Sequence, residues 1–237
     1  MSNYCVSSLL QLSRGQDKLF RVVQYLLRLI LHHNSNRSEI QQLEHQITLT
    51  RKLCRFTRDA HYFRAGLVAL NNPDKLDGAG RAIAAFGKCV WLFSDHIEYL
   101  YRVGVLRSDG KTPAARVSRV SNWLWLIGYI GSVSLYYRQI KLISEQITKL
   151  RNYHLLQDLE TDHQYSNRIV LDDSHELQIN QLVKKQRQIK LQMLQELVDC
   201  GIPAGGLGLV PHSVGCLAGI SSSFIGLFLI KEFGNCS

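Results

Sequence analysis

Only four of the 237 residues are proline, and β-branched residues seldom alternate with polar ones. Proline interrupts helices and such alternation builds strands, so both shortages favour long helices. The six cysteines form no CxxC pair and no spacing with histidine that would bind zinc. We therefore expect an all-α protein with reduced cysteines, no metal site and no cofactor.

Sequence motifs that bind nucleotides or activate nucleophiles are also missing. The chain contains no GxxxxGK[ST] loop, GxSxG elbow, HExxH pair or Rossmann fingerprint, and the glycines of residues 201–208 adjoin prolines rather than a lysine. The nine histidines are scattered, and His32, His33 and His61 are expected at exposed or interfacial positions rather than as metal ligands. The sequence predicts no catalytic residue and a protein that is not an enzyme.

Positive charge is present in excess and is concentrated near the start of the chain. The net charge is +9, and between Arg14 and Arg64 ten Lys or Arg face four Asp or Glu, giving +6. Such a chain is attracted to polyanions, either nucleic acid or an anionic membrane surface. Because these cations belong to helices whose other face is apolar, nucleic-acid binding is the weaker interpretation.

The most strongly two-faced segment is Ile40–Leu70, which the periodicity predicts to be one amphipathic helix. Its apolar stripe is spaced 4, 3, 4, 3, 4 and consists of Leu49, Leu53, Phe56, Ala60, Phe63 and Leu67. Its opposite face carries Arg51, Lys52, Arg55 and Arg58. Two interpretations stay open, a helix of a bundle with a solvated basic face and a helix that lies on an anionic membrane.

Two neighbouring segments repeat this amphipathic pattern. A first helix is predicted over Asp17–His32, with an apolar face opposite a basic one. After the turn at Asn71–Asp74, a third helix is predicted, with an apolar seam for packing against other helices. The seam residues are Ile83, Phe86, Val90, Phe93, Ile97 and Leu100. Trp91, Tyr99 and Tyr101 belong either to the protein core or to an aromatic belt at a membrane interface.

Two segments are candidate membrane spans. Residues 120–137 contain no charged residue but are only marginally long enough, whereas Val210–Ile230 can cross about 30 Å of hydrocarbon. Within the second segment, Gly215, Gly219 and Ser223 recur at every fourth position. This spacing predicts helix association and hence self-assembly, although glycine is also simply frequent in membrane helices.

The order of these segments divides the chain into four regions. We predict membrane-active amphipathic helices over 1–72, a helical region with the marginal span over 73–157, a mobile polar connector over 158–176, and a basic helix followed by the membrane segment over 177–237. The connector prediction rests on the acidic and polar stretch His154–Ser174, which has no apolar period.

Three blocks in this order resemble the peroxin-11 family of peroxisomal membrane proteins. They are Asp17-Lys18-Leu19 with Gln24-Tyr25, then Gln42-Leu43-Glu44 with Leu49 and the run Arg51–Phe56, and finally Gly206–Gly208 with Gly215, Leu217 and Gly219–Ser222. The colinear match covers nearly the whole chain. Where the family often has glycine after the basic block this chain has Thr57, so no hinge is expected there.

The resemblance implies an integral peroxisomal membrane protein with cytosolic termini that elongates the membrane and promotes proliferation and fission. It also implies four partners, namely the anionic membrane, further copies of the chain, fission factors including a dynamin-related GTPase, and the membrane-protein import receptor. The residues expected to bind membrane are Arg51, Lys52, Leu53, Arg55, Phe56, Arg58, Ala60 and Phe63. A channel or metabolite pore is the alternative function, for which the candidate spans offer serines, Asn122 and His212 but no charged ring.

Overall fold

The computed structural model describes the backbone of residues 2–34, 36–56, 58–106, 112–160 and 168–233, and no side chain within 2–14, 112–115, 154–160 or 168–175. Every regular element in these ranges is an α-helix, which confirms the all-α prediction. The helices are α1 (Ser2–His33), α2 (Ser38–Cys54), α3 (Arg58–Leu70), α4 (Lys75–Arg102), α5 (Thr112–Glu160), α6 (Arg168–Asp199), α7 (Gly201–Gly206) and α8 (His212–Phe233).

Six of these helices form a closed ring. α1 packs against α2, α2 against α4, α4 against α5, α5 against α7, and α7 against α8, which returns to α1. α3 lies outside the ring against α4, and the end of α6 joins it beside α8. This order brings one face of each ring helix to a common interior, where the side chains described below meet.

The predicted single helix over Ile40–Leu70 is wrong, because the structure divides it into α2 and α3. The amide groups of Arg55, Phe56 and Arg58 each bond to the carbonyl three residues earlier rather than four, which tightens the chain into a turn. Thr57, where no hinge was expected, is not described, but the turn lies immediately before it. α2 begins at Ser38, and the residue before it, Arg37, makes no capping hydrogen bond with its side chain.

The turn at Asn71–Asp74 is confirmed, and Asp74 caps the N-terminus of α4. Its carboxylate accepts hydrogen bonds from the backbone N–H groups of Leu76 and Asp77 at 3.1 and 3.2 Å. Arg138 of α5 donates to the same carboxylate, so the cap also joins two helices. Because the Asp77 N–H and then the Arg138 guanidinium stabilise the ionised form, the pKa of Asp74 is lowered.

α4 and α5 cross where both carry glycine. A Cβ added to Gly87 would lie 2.7 Å from the Cα of Gly128, and one added to Gly131 would lie 3.0 Å from Ile83. Small residues thus let the two backbones approach closely, as in helix pairs within membranes. The marginal span predicted over 120–137 is this part of α5.

Beyond the ring, α5 and α6 continue as a helix pair, which we call the stalk (residues 136–153 of α5 and 176–190 of α6). Its centre is the apolar cluster of Ile143, Ile147 and Ile189. The backbone is helical to Glu160 and again from Arg168, so the connector predicted over 158–176 is shorter than expected. Residues 161–167 lie outside the described residues.

The last helix agrees with the stronger span prediction. α8 runs from His212 to Phe233, and within the described part of the chain it is the one helix that is long and apolar enough to cross a membrane. Residues 120–137 do not meet the same requirement. The short α7 was not predicted, and Gly208 turns the chain into α8 with a φ of 75°, a conformation that favours glycine.

Candidate membrane-facing surface and polar interior

Apolar side chains lie on the outside of the ring. On α2 and at the following turn, Leu53 and Phe56 are 56% and 50% exposed, whereas Arg51 and Lys52 are each 4% exposed. The apolar residues and the cations therefore lie on opposite faces, as the periodicity predicts. That face, however, points into the protein rather than toward solvent.

Exposed apolar side chains also lie along the other ring helices. The predicted seam of α4 was expected to pack against other helices, but its Ile83, Val90 and Phe93 are exposed. The buried residues of α4 are mostly small or apolar, namely Gly78, Ala82, Ala84, Ala85, Leu92 and His96. Similarly, Ser121 and Ser132 of α5 are buried. The exposed apolar side chains of α1 and α5 include Leu19, Val23, Leu26, Ile30, Trp123, Ile127 and Ile130.

Buried ion pairs connect α1 to its neighbours. Arg21 donates to Asp199 at the end of α6 at 3.0 Å and to the Ser222 hydroxyl at 3.3 Å. Asp17 accepts from two cations, Arg51 at 3.3 Å and Arg58 at 3.2 Å. These contacts join α1 to α2, α3, α6 and α8, so they fix the arrangement of the ring.

A second group of ion pairs joins α2 to α4. Lys52 donates to Asp95 and to Glu98, the latter at 2.8 Å, while Arg55 lies 2.7 Å from the other oxygen of Asp95. Burial alone would raise the pKa of the Asp95 carboxyl, but Arg55 and Lys52 overcome it and lower that pKa. Arg102, one turn further along α4, shares Glu98 at 2.6 Å.

Aromatic rings line the interior between α4 and α5. Trp91 and Trp125 are stacked with centroids 4.2 Å apart, and the Arg55 guanidinium lies 5.1 Å from the centre of the Trp91 ring. For Trp91 the core alternative therefore applies rather than an interfacial belt. The stack places an apolar wall next to the ion pairs of α2 and α4.

Inside the ring lies a polar cavity of about 240 Å³, with walls from α1, α2, α4, α5, α7 and α8. Six of its lining residues are cations, namely Arg21, Arg28, Arg51, Lys52, Arg55 and Arg102. Two are carboxylates, Asp95 and Glu98. Thr48, Asn122 and His212 add neutral polar groups. The cavity is several times the volume of one water molecule, about 30 Å³.

The small residues of α8 pack within the same chain. A Cβ on Gly219 would collide with the ring of Tyr25, and one on Gly215 would lie 3.2 Å from the carbonyl of Gly201. Ser223 is fully buried and donates to the Gly219 carbonyl at 2.7 Å. The role of Gly215, Gly219 and Ser223 in self-assembly stays a prediction, since in this structure α1 and α7 occupy that face.

The residues predicted to bind membrane thus separate into two groups. Leu53, Phe56, Ala60 and Phe63 are exposed on the outside. Arg51, Lys52 and Arg55 are buried in ion pairs, and Arg58 is half-buried against Asp17. The idea that these four cations meet lipid headgroups stays a prediction, but the partners that the structure gives them are carboxylates of the same chain.

The acidic partners were missed in the sequence, although they leave a signal. Polar residues recur at helical spacing on α1 (Asp17, Arg21, Gln24, Arg28), on α2 and the turn after it (Glu44, Thr48, Arg51, Arg55) and on α4 (Asp95, Glu98, Arg102). Each stripe contains charges of both signs. Such stripes predict facing helices joined by ion pairs, which the apolar stripes alone do not indicate.

An apolar exterior around an ion-paired interior is unfavourable in water, where exposed hydrophobic surface and desolvated charges both raise the free energy. In hydrocarbon the same arrangement is expected, because ionisable residues then turn inward and pair with one another. The stalk has the opposite pattern, with its isoleucines inside and Lys184, Lys185, Arg187 and Lys190 exposed, as a helix pair in water requires. The fold defines an all-α protein of the membrane-associated class.

Comparison with known proteins agrees with this class. A family model described as peroxisomal biogenesis factor 11 (PEX11) matches residues 5–230, so the chain belongs to that family. Peroxisomal membrane proteins PMP30B and PMP30A of Candida boidinii are 26% and 25% identical over 91% of this chain and 88% of their own lengths. Peroxisomal membrane protein PMP27 of Saccharomyces cerevisiae is 28% identical over 57% of this chain and 58% of its own length. No solved structure matches the chain significantly.

Proposed function

We propose that this protein is an integral protein of the peroxisomal membrane that bends and elongates it, and thereby promotes the proliferation and fission of peroxisomes. The observation that carries the proposal is the apolar outer surface of the ring, above all Leu53, Phe56 and Phe63 on α2, α3 and the turn between them. Membership of the family, and the description of its relatives as peroxisomal membrane proteins, support the peroxisomal membrane as the location.

The physical mechanism is a difference in area between the two leaflets. Helices whose apolar faces enter a bilayer about 5–10 Å deep spread the headgroups of one leaflet, and many such molecules favour a tubule over a flat sheet. Transfer of each large apolar side chain from water contributes about 1.5–3 kcal/mol when it is complete. α8, with 22 residues, supplies the span that anchors the chain.

Several features of this function are part of the proposal. We place the N-terminus in the cytosol, together with the basic stalk, whose lysines suit an anionic membrane surface. Because α8 is a single crossing, the C-terminus then lies on the other side of the membrane, and two cytosolic termini would require a second crossing. Partners are further copies of the chain, fission factors including a dynamin-related GTPase, and the receptor that imports peroxisomal membrane proteins. None of these partners requires a catalytic group on this chain.

The decisive experiment compares apolar side chains of similar exposure at two places. The full-length protein is reconstituted into vesicles that contain anionic lipid, and vesicle shape is imaged. We expect the double variant Leu53→Ser, Phe56→Ser to reconstitute with the bilayer but to form few tubules. Leu142→Ser, on the exposed side of the stalk, should form tubules like the unaltered chain.

Equal tubulation by the two variants would contradict insertion of the outer surface as the cause of bending. Retention of both variants in the membrane pellet after alkaline carbonate extraction checks that α8 still anchors them. Circular dichroism of the reconstituted proteins checks that both keep the helical fold.

A pore is the second candidate function, and one observation favours it. The closed ring of helices surrounds a charged cavity, which is the polar lining that the candidate spans alone lack. A pore predicts ionic conductance across a planar bilayer that contains the protein. Conductance that persists in the Leu53→Ser, Phe56→Ser variant would separate this activity from membrane bending.

A further inference from the structure

The cations around the cavity outnumber the carboxylates that pair with them. Counted over the described side chains, the six lining cations and Arg58 form ion pairs with five carboxylates. The five are Asp17, Glu44, Asp95, Glu98 and Asp199. Seven positive charges thus share five negative ones, which leaves a surplus of two.

The sharing is visible in individual contacts. Asp17 lies between Arg51 and Arg58, Asp95 between Lys52 and Arg55, and both Lys52 and Arg102 depend on Glu98. Burial, followed by the neighbouring Arg55, lowers the pKa of Arg51 to about 9 despite its contact with Asp17. Since Asp17 is shared with Arg58, Arg51 has no carboxylate of its own.

One buried donor in the cavity wall has no partner at all. The Nε of Arg21 is without a hydrogen-bond acceptor among the described residues, although the Arg21 side chain is only 9% exposed. An unpaired buried N–H of a charged group is unfavourable by more than an ordinary lost hydrogen bond. The geometry therefore leaves room, positive charge and at least one donor for an acceptor that the chain does not supply.

We propose that this cavity is a binding site for a phosphate monoester dianion. Such a group carries a charge of about −1.5 to −2 at neutral pH and three acceptor oxygens, which matches the surplus of two and the unpaired Arg21 donor. A carboxylate carries one charge and leaves half of the surplus uncompensated. The same phosphate monoester occurs in soluble metabolites and in the headgroup of phosphatidic acid.

The position of the cavity makes it accessible both to soluble phosphate monoesters and to lipid headgroups. Arg102 and His212 are exposed and mark its mouth, at the end of the ring where α8 begins. Ser118 of α5 also lines the cavity, whereas the stalk begins at Tyr136, about 27 Å further along that helix. The mouth therefore lies at the end of the ring opposite the stalk, where it can receive either a soluble ligand or a lipid headgroup.

The test measures thermal unfolding of the full-length protein in nanodiscs. In nanodiscs of phosphatidylcholine, inorganic phosphate should raise the unfolding midpoint, and chloride at equal ionic strength should not. A rise with inorganic phosphate identifies a soluble source, and a rise seen only when phosphatidic acid replaces part of the lipid identifies the headgroup. No rise in either arm overturns the proposal.

Three variants show whether the cavity is responsible. Arg102→Gln should weaken phosphate binding about fivefold, as expected for the loss of one partly exposed charge. The matched control is Arg81→Gln, because Arg81 forms the equivalent i,i+4 ion pair with Asp77 on the same helix, away from the cavity. Glu98→Gln should instead strengthen phosphate binding, since it raises the surplus to three.

Damage to the fold cannot produce this gain in Glu98→Gln, so the direction of its effect separates a binding site from a merely structural cluster. Equal affinities for Arg102→Gln and Arg81→Gln, or weaker binding by Glu98→Gln, would overturn the assignment to this cavity. The unfolding midpoints of all three variants in chloride confirm that each is folded.

Discussion

Arg21 and Asp199 are separated by 178 positions in the sequence, yet their side chains meet in a buried ion pair of 3.0 Å. The pair joins the first ring helix to the end of α6, where the chain returns from the stalk. Because both groups are shielded from water, the pair determines how the two ends of the fold meet more than it adds net stability.

The first prediction concerns that ion pair. Asp199→Asn should lower the free energy of unfolding by about 3–5 kcal/mol, because the Arg21 charge stays buried without its counter-ion. The double variant Arg21→Met, Asp199→Leu should show a much smaller decrease in the free energy of unfolding, since neither charge remains. Thermal unfolding in nanodiscs measures both changes. A double variant as unstable as the sum of two single variants would show that the pair is not coupled.

The second prediction revises the expectation for the basic face. Lys52→Glu should destabilise the protein strongly, because it places a third carboxylate beside Asp95 and Glu98. Lys149→Glu, on the exposed side of the stalk, is the matched control and should keep the unfolding midpoint. Adding Glu98→Lys to Lys52→Glu should restore part of the lost stability. Normal stability of Lys52→Glu with reduced lipid binding would instead support headgroup contact.

The third prediction uses the same substitution at two glycines of helices. At Gly87 an added methyl group would lie 2.7 Å from the Gly128 backbone, so Gly87→Ala should destabilise the protein by about 1–3 kcal/mol. Nothing lies within 4 Å of the corresponding position at Gly15, so Gly15→Ala should stabilise by up to about 1 kcal/mol through helix propensity. Unfolding midpoints that shift in the same direction would contradict the close crossing of α4 and α5.

The fourth prediction is a pH dependence at the start of α4. The pKa of Asp74 is lowered in the folded protein, so its ionised carboxylate stabilises the fold. This stabilisation is fully present above the unfolded pKa of about 3.9 and is lost as pH falls through the folded pKa. Asp74→Asn keeps a capping side chain but loses the charge that faces Arg138. The unfolding midpoints of the two proteins should therefore differ at neutral pH and converge in acid. A constant difference would show that the charge plays no part.

The sequence was sufficient for α4 and α8 because their signals are local. Proline at position 73, the polar turn around it and the charge-free run before Ile230 each determine an element without reference to the rest of the chain. The break between α2 and α3 was missed for the opposite reason. The turn brings Arg55 to Asp95 and Phe56 to His96, forty residues away in the sequence. The apolar periodicity of a segment does not indicate contacts with such distant residues.

The direction of each helix face could not be predicted in the same way. Leu53 and Arg51 lie on opposite faces of the helix both in water and in a membrane. Whether the surroundings are water or hydrocarbon decides which face turns inward. The acidic residues held the missing information, since Asp17, Asp95 and Asp199 each lie at a position where a facing helix carries a cation. Small residues such as Gly219 were noticed, but their partner Tyr25 is nearly two hundred positions away.

The continuity of α5 also has a mechanical consequence. One unbroken helix runs from the ring to Glu160, so the segment after Arg138 extends about 33 Å beyond the ring. Such a rod adds excluded volume at one end of the ring only, and at high surface density this volume raises the lateral pressure on that side of the membrane. That pressure would spread that side of the bilayer, and it would grow with the number of molecules per unit area.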